Sequence, residues 1–416
     1  MKEFKNCLVV NNMREMKDSG IKLIGEIPKD WVIRRGKTLY TIQTGKLDAN
    51  TAKQEGNYPF FTCSMFPKKI DNYAFDCEAL LVAGNGLVGF TQYYKGKFNA
   101  YQRTYVLSNF IDIEPLYLKY YVTNLLRDTV ASNSVGSVID FIKLKDLQNF
   151  YVTIPNINEQ QKIAFFLDKK CDEIDSLYGN IKKQIETFEE YKKAVITETV
   201  TKGLNPNVEM KKTESVYWKE IPKEWNIQDI KYIFDIVKKI AGKEGYDVLS
   251  VTQKGIKIKD LSKNEGQIAE SYANYQLVYP NDFVMNHMDL LTGWVDCSKY
   301  EGVTSPDYRV FKLKNKQFSN EYYKYLMQCC YLNKIFYSLG RGVSNLGRWR
   351  LQTDSFNNFK VPVPPIKEQK SIALFLNKKI EEIENLIRNK EYQLSMLNQY
   401  KKSLIYEYVT GKKEVK

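Results

Sequence analysis

Two stretches of the chain alternate apolar and polar positions in steps of three and four. In the first, Leu167, Cys171, Ile174, Tyr178, Ile181, Ile185, Phe188 and Val195 keep this spacing, with Lys192 in the one gap. In the second, Leu376, Ile380, Ile383, Ile387, Lys390, Leu394, Leu397, Leu404 and Tyr408 keep the same register, with Lys401 in the equivalent gap. This spacing predicts two long helices, each with a coiled-coil seam. Pro155 precedes the first, and Pro362, Pro364 and Pro365 precede the second, where a helix has not yet begun. One amphipathic helix cannot cover its own stripe, so the two are expected to pack on each other within the chain; pairing between two chains is the other way to cover them. At about 1.5 Å per residue, a helix of about 45 residues is about 65 Å long, a length similar to about two turns of B-DNA.

Elsewhere the period shortens. Ala79–Ala83, Phe90–Tyr94 and Thr104–Leu107 read as strands, as do Val248–Val251, Phe283–Met285 and Tyr308–Leu313, because β-branched and aromatic residues dominate them. Pro115–Leu126 and Asn320–Ser338 read as short helices.

The chain is also written twice. INEQQKIAFFLDKKCDEIDSL, starting at Ile157, aligns without a gap on IKEQKSIALFLNKKIEEIENL, starting at Ile366. The match continues through Tyr191-Lys192-Lys193 against Tyr400-Lys401-Lys402 and closes with Val200-Thr201 against Val409-Thr410. Upstream, Glu26-Ile27-Pro28-Lys29-Asp30-Trp31 recurs as Glu220-Ile221-Pro222-Lys223-Glu224-Trp225. Each half is an E-I-P-K-x-W opening, a divergent middle and a helical tail, which suggests one scaffold carrying two different recognition surfaces.

Charge sharpens that picture. Sixty-two Lys and Arg against 49 Asp and Glu give +13, an excess that favours polyanions, and nucleic acid above all. Thirty tyrosines lean the same way. Seven cysteines without a C-x-x-C pair read as buried thiols, and a single histidine, His287, leaves a zinc site almost without ligands. No apolar run reaches the length of a membrane span, so the expectation is a cytoplasmic protein that meets no membrane.

Catalytic motifs are missing. There is no G-x-x-x-x-G-K-[ST] phosphate loop and no Asp/Asn-Pro-Pro-aromatic tetrapeptide for gripping a flipped adenine. Pro306-Asp307 followed by Glu368-Gln369-Lys370 resembles a nuclease only until the repeat is noticed: Glu159-Gln160-Gln161 matches the second element and gives it a structural role at a helix start. Gly84, Gly86 and Gly89 spell G-x-G-x-x-G, but Gly89 leads into a strand instead of opening a helix, so a dinucleotide site is not expected. The related stretch from Phe283 to Trp294 keeps only Gly293, which marks Gly89 and Gly293 as scaffold turns.

The E-I-P-K-x-W openings, the E-Q-x-x-I-A-x-F-L helix starts and the Thr201-Lys202-Gly203-Leu204-Asn205-Pro206 hinge resemble the specificity subunits of type I restriction–modification systems. That resemblance implies an α+β chain in which two α/β target-recognition domains are separated by two long helices pairing as an antiparallel intramolecular coiled coil. It divides the chain into an N-terminal extension (1–16), a first target-recognition domain (17–155), a first spacer helix (156–204), a second target-recognition domain (205–364) and a second spacer helix with the C-terminal tail (365–416). The implied function is non-catalytic reading of a bipartite, asymmetric site in double-stranded DNA. The helices would hold two modification (methyltransferase) subunits, and two ATP-dependent restriction subunits could join. S-adenosylmethionine, ATP and magnesium would sit on those partners, and no cofactor on this chain. A stand-alone DNA-binding or scaffold protein built on the same frame is the other reading.

Base-edge readers are sought among side chains on loops that follow strands. In the first domain these are Lys46, Asn85, Tyr101, Gln102 and Arg103; in the second, Lys254, Asn286, Asp307, Tyr308, Arg309, Arg341, Ser344 and Arg348. The last three belong to the basic, glycine-punctuated stretch GRGVSNLGRWR that begins at Gly340.

Overall fold

The computed structural model describes residues 14–132, 141–263, 269–342 and 349–415. Two compact units divide the chain: unit 1 runs to Ile181 and takes back Tyr392–Lys416, and unit 2 is Lys182–Glu391.

Unit 1 carries β1 (Met16–Asp18), β2 (Glu26–Pro28), β3 (Val32–Arg35), β4 (Thr41–Thr44), β5 (Tyr58–Phe61), β6 (Lys68–Ile70), β7 (Phe75–Ala83), β8 (Thr91–Ala100), β9 (Thr104–Ser108), α1 (Pro115–Ser132), α2 (Leu144–Asn149) and β10 (Tyr151–Ile154). The first long helix, α3 (Ile157–Lys202), follows. Unit 2 carries β11 (Met210–Lys212), β12 (Glu220–Pro222), β13 (Asn226–Asp229), α4 (Ile230–Ile233), β14 (Phe234–Val237), β15 (Leu249–Thr252), β16 (Gly255–Ile258), β17 (Gln276–Val278), β18 (Phe283–Met285), β19 (Val295–Cys297), β20 (Gly302–Thr304) and β21 (Arg309–Leu313). Then come α5 (Asn320–Leu332), α6 (Ile335–Leu339), α7 (Thr353–Asn357), β22 (Lys360–Val363) and the second long helix, α8 (Ile366–Val409).

The two units repeat one sheet. Unit 1 orders its six-stranded sheet β4-β9-β7-β8-β5-β6, and unit 2 has a four-stranded sheet β14-β21-β18-β19. The four shared positions correspond strand for strand. The E-I-P segments are β2 and β12, paired antiparallel to β1 and β11. Glu15 and Glu209 take equivalent salt bridges from Lys29 and Lys223, at 2.8 and 2.9 Å. This E-M-K element, Glu15-Met16-Lys17 and Glu209-Met210-Lys211, is a further repeat that the sequence reading passed over, and Met16, assigned there to the extension, opens β1. The expected helix over Asn320–Ser338 is two helices, because Lys334 adopts a left-handed conformation (φ 55°) between α5 and α6.

Within each unit the long helices lie antiparallel. In unit 1 the early part of α3 meets the end of α8: Phe166 and Tyr408 rings stand 4.5 Å apart, and Lys401 binds Asp175 at 2.6 Å. In unit 2 the late part of α3 meets the start of α8: Lys192 binds Glu384 at 2.7 Å, and the Lys379 ammonium sits over the Tyr191 ring. The two lysines that interrupt the apolar seam thus make equivalent cross-helix ion pairs. Leu167, Ile174, Ile181, Leu376, Ile383 and Ile387 are buried, while Ile185, Phe188, Leu394 and Leu397 are half-buried, as expected where a second helix covers only one side. Reversing Lys192 to Glu should cost about 0.5–1 kcal/mol, and adding Glu384→Lys should restore most of it; a double-mutant cycle in urea measures this.

Repeated contacts fasten each sheet domain to the helices of its own unit. Gln160 and Gln369 are buried at equivalent positions in the helix-start motif. Gln160 accepts from the Glu114 amide (2.7 Å) and donates to the Pro155 carbonyl (2.9 Å); Gln369 accepts from the Ser319 amide (3.1 Å) and donates to the Pro364 carbonyl (2.9 Å). Tyr117 and Tyr322 each donate from one hydroxyl towards a strand carbonyl and a carbonyl at the end of a long helix, Val409 and Val200 respectively. Tyr120 donates to Asp168 (2.5 Å) and Tyr325 to Asn377 (2.9 Å), again at matching positions. A buried side-chain amide is stable only when its donors and acceptors are satisfied, which accounts for the glutamine repeated in the first turn of both helices.

Candidate nucleic-acid interface

In unit 1 the backbone gathers the candidate readers into one cluster. The first part of β8 pairs with β7, and its last residues, Asn99 and Ala100, pair with Phe60 and Phe61 of β5. The short turn Tyr101–Arg103 then returns to β9 beside the end of β7. Gly84 donates its amide to the Arg103 carbonyl (3.0 Å), Gln102 to the Leu47 carbonyl (2.9 Å), and Tyr101 to the Phe61 carbonyl (2.9 Å). Lys46, Asn85, Tyr101, Gln102 and Arg103 therefore share one group of loops. Lys46, Gln102 and Arg103 are exposed, and Asn85 and Tyr101 are half-buried.

The glycines have backbone reasons. A Cβ on Gly84 would stand 2.5 Å from the Arg103 carbonyl oxygen, and Gly86 and Gly89 hold φ of +61° and +82°. The G-x-G-x-x-G stretch lies between β7 and β8, as strand, loop and strand. Gly293 serves the matching β18–β19 loop by a different constraint: its φ is ordinary, but a Cβ would collide with the Asp289 carbonyl.

In unit 2, Lys254 caps the exposed β15–β16 turn, whose neighbour Gln253 reaches the Thr292 carbonyl (3.4 Å) in the β18–β19 loop. Asn286 begins that loop, half-buried, with its carbonyl held by the Tyr331 hydroxyl at 2.7 Å. His287 is joined to Leu351 by a backbone bond, and Arg341 is paired with Arg350, so the exposed Arg341 belongs to the same neighbourhood. Asp307 is exposed and Tyr308 half-buried on the turn before β21, whose Ser305 and Tyr308 carbonyls accept from Gln276. Ser344 and Arg348 lie outside the described residues.

Arg309 is placed differently from the surface position its neighbours suggested. It is only 5% exposed, its guanidinium lies 4.5 Å over the Phe356 ring, and Nη2 donates to the Leu351 carbonyl at 3.1 Å. Burial lowers its pKa to about 10. It ties β21 to Leu351 and Phe356. His287, also buried, is pushed down to about 3, first by burial and then by the nearby Arg309 and Arg350.

His287 therefore stays neutral in the fold at pH values where the unfolded chain protonates it. The unfolded state binds the extra proton below the usual histidine pKa of about 6.5, so stability should fall as pH drops from about 6.5 towards about 3. The slope from this residue approaches about 1.4 kcal/mol per pH unit. Asp282, buried, and Asp296, half-buried, whose carboxyls desolvation pushes up, act in the opposite sense. Comparing wild type with His287→Leu in urea at pH 7 and pH 5 isolates the histidine: the variant should gain about 1–2 kcal/mol relative to wild type at the lower pH.

Among the described residues no group of His, Cys, Asp and Glu could hold a metal ion, and no helix is long and apolar enough to cross a membrane.

A model of the family described as type I restriction modification DNA specificity domain matches residues 28–187 and again 222–392, most of the chain in two copies. The chain belongs to this family. The type I specificity frame accounts for the duplicated sheet and for both long helices. A type I restriction enzyme specificity subunit of Escherichia coli, EcoDI, is 38% identical over 177 residues, covering 42% of this chain and 38% of that relative. The specificity subunit of the type I restriction enzyme MjaVIII of Methanocaldococcus jannaschii is 26% identical over 424 residues, 94% of each chain. One chain from a solved structure concerned with complex assembly and conformational transition of the type I R-M system shares the fold, with a TM-score of 0.65 at 12% identity, over 92% of this chain and 99% of that one.

Proposed function

We propose that this chain is the non-catalytic, sequence-reading subunit of a type I restriction–modification complex. One observation carries the reading: two sheets with matching strand order, fixed by matching Gln and Tyr contacts, present loops that differ in length and side chains. A shared frame with unlike loops suits a site of two unlike parts, each unit reading one part of a split duplex sequence. Exposed cations supply salt-dependent affinity for phosphates, and polar loop side chains supply base discrimination.

Two methyltransferase subunits are the partners this reading expects. Its support is a set of exposed apolar side chains repeated at equivalent helix positions: Phe165 and Leu374, Leu177 and Leu386, Tyr191 and Tyr400. Large apolar groups left outside a core at duplicated positions suit two copies of one partner. On this reading S-adenosylmethionine, ATP and magnesium belong to partner subunits, which can include ATP-dependent restriction subunits. The test is to co-express the chain with its methyltransferase and map modified adenines. A split motif is expected, and replacing residues 17–155 with another first domain should change one part of it alone. A chain that neither co-purifies with the methyltransferase nor directs a motif would return the protein to the stand-alone class.

A further inference from the structure

Beside the unit 1 readers stands a feature that base-edge hydrogen bonding does not use. The β5–β6 loop ends in Met65-Phe66-Pro67, with Met65 57% and Phe66 77% exposed. Leu87 and Phe141, on the adjoining segments, are exposed as well. Apolar tips of this size are unusual on a solvated surface unless something covers them.

The loop is built to hold this tip outward. Thr62 and Ser64 hydroxyls share a 2.8 Å hydrogen bond, and the Ser64 hydroxyl donates to the Phe66 carbonyl (3.0 Å). Gln92 donates to the Ser64 carbonyl (2.9 Å), and the Leu87 amide to the Cys63 carbonyl (3.3 Å). Pro67 fixes the next backbone torsion. The same segment touches the reader turn, since the Cys63 thiol donates to the Arg103 carbonyl (3.3 Å). From Thr62 to Ile70 there is no carboxylate, and Lys68 and Lys69 follow the tip, both exposed. Apolar tip, cationic flank and neighbouring Asn85, Gln102 and Arg103 together select a nucleic acid over an acidic or apolar protein surface.

DNA offers an apolar side chain two things: thymine methyl groups and the faces of stacked bases. A methyl covers a small part of a phenyl ring, whereas a base face covers most of it. Met, Phe and Pro are also side chains used to part a base step, and a pre-set loop loses little freedom on entering one. We propose that the Met65–Pro67 tip is a wedge that enters the base stack at or beside the half-site read by unit 1, adding deformability of that step to the specificity. The proposal rests on the DNA-reading function above.

The test uses the full chain in complex with its methyltransferase subunits and a duplex bearing the mapped motif. 2-Aminopurine replaces, in turn, each adenine of the unit 1 half-site and its flanks, except the adenine that is methylated. Binding should raise the fluorescence severalfold at one step. Phe66→Ala should abolish that rise and weaken binding by about 10- to 50-fold without altering the salt dependence, because no phosphate contact is lost. Phe66→Leu, which keeps an apolar tip, should recover most of both and shows that the loop remains folded. Tight binding with no rise at any position overturns the wedge. So does loss of affinity when thymine is replaced by deoxyuridine with fluorescence unchanged, which would make Phe66 a methyl contact. If no duplex is bound or methylated by the wild-type complex, the DNA-reading function itself falls.

Discussion

Trp225→Ala should destabilise unit 2 by about 3–5 kcal/mol, the cost of emptying a fully buried indole site. Trp225 is 0% exposed, and its indole N–H donates to Glu368 at 2.8 Å, tying the E-I-P-K-x-W opening to the first turn of α8. Gly203 lies against the pair: a Cβ there would stand 2.6 Å from the Glu368 carboxylate. Trp31 is equally buried, yet its indole nitrogen has no hydrogen-bond partner among the described residues. The equivalent carboxylate, Glu159, is taken by Arg14 at 2.5 Å, and Arg14 also binds Asp30 and stacks over the Trp31 ring. The gentler change to phenylalanine should therefore separate the two positions. Trp225→Phe strips a donor from Glu368, whereas Trp31→Phe removes a donor that was unpaired, so the first should cost about 1–2 kcal/mol more. Chemical denaturation of the two variants measures the difference, and equal losses would count against a role for the Trp225–Glu368 bond.

The second large effect concerns reading. Asn85 and Arg103 carry side chains suited to adenine and guanine edges, on loops joined by the Gly84–Arg103 backbone bond. Each replaced by alanine should cost about 1–3 kcal/mol of discrimination, or about 5- to 150-fold in methylation at the cognate site. The part of the motif read by unit 2 should be unaffected. Lys46→Ala should instead weaken binding across all sequences and lower the salt slope by about one. Methylation assays on duplexes altered in one half-site at a time distinguish these outcomes; equal effects on both halves would show that Asn85 and Arg103 do not read bases.

The parts of this fold written in local periodicity were legible in the sequence. The two long helices, their seams and the lysines interrupting them follow from spacing alone, and all six expected strands fall within or one residue beyond observed ones, although Ala79–Ala83 marks only the second half of β7 and Phe90–Tyr94 only the first half of β8. What spacing does not carry is non-local pairing. The bend that returns Tyr101–Arg103 to the end of β7 depends on β8 serving two neighbours. The burial of Arg309 depends on Phe356 and Leu351, more than forty positions away. Gln160 and Gln369 stood out as repeated letters, but their partners, Glu114 and Ser319, lie outside the motif that revealed them. The Met65–Phe66 tip matched no pattern and became visible only as exposure.

Stability and recognition are written in separate residues. The glutamines, tyrosines and tryptophans that fix each sheet to its helices lie outside the loop tips, and the tips contribute little to the core. Substitutions in those tips should accumulate almost without thermodynamic cost, while the anchors tolerate few. Such a frame lets changes in the loops explore new target sequences while the folded scaffold keeps its stability.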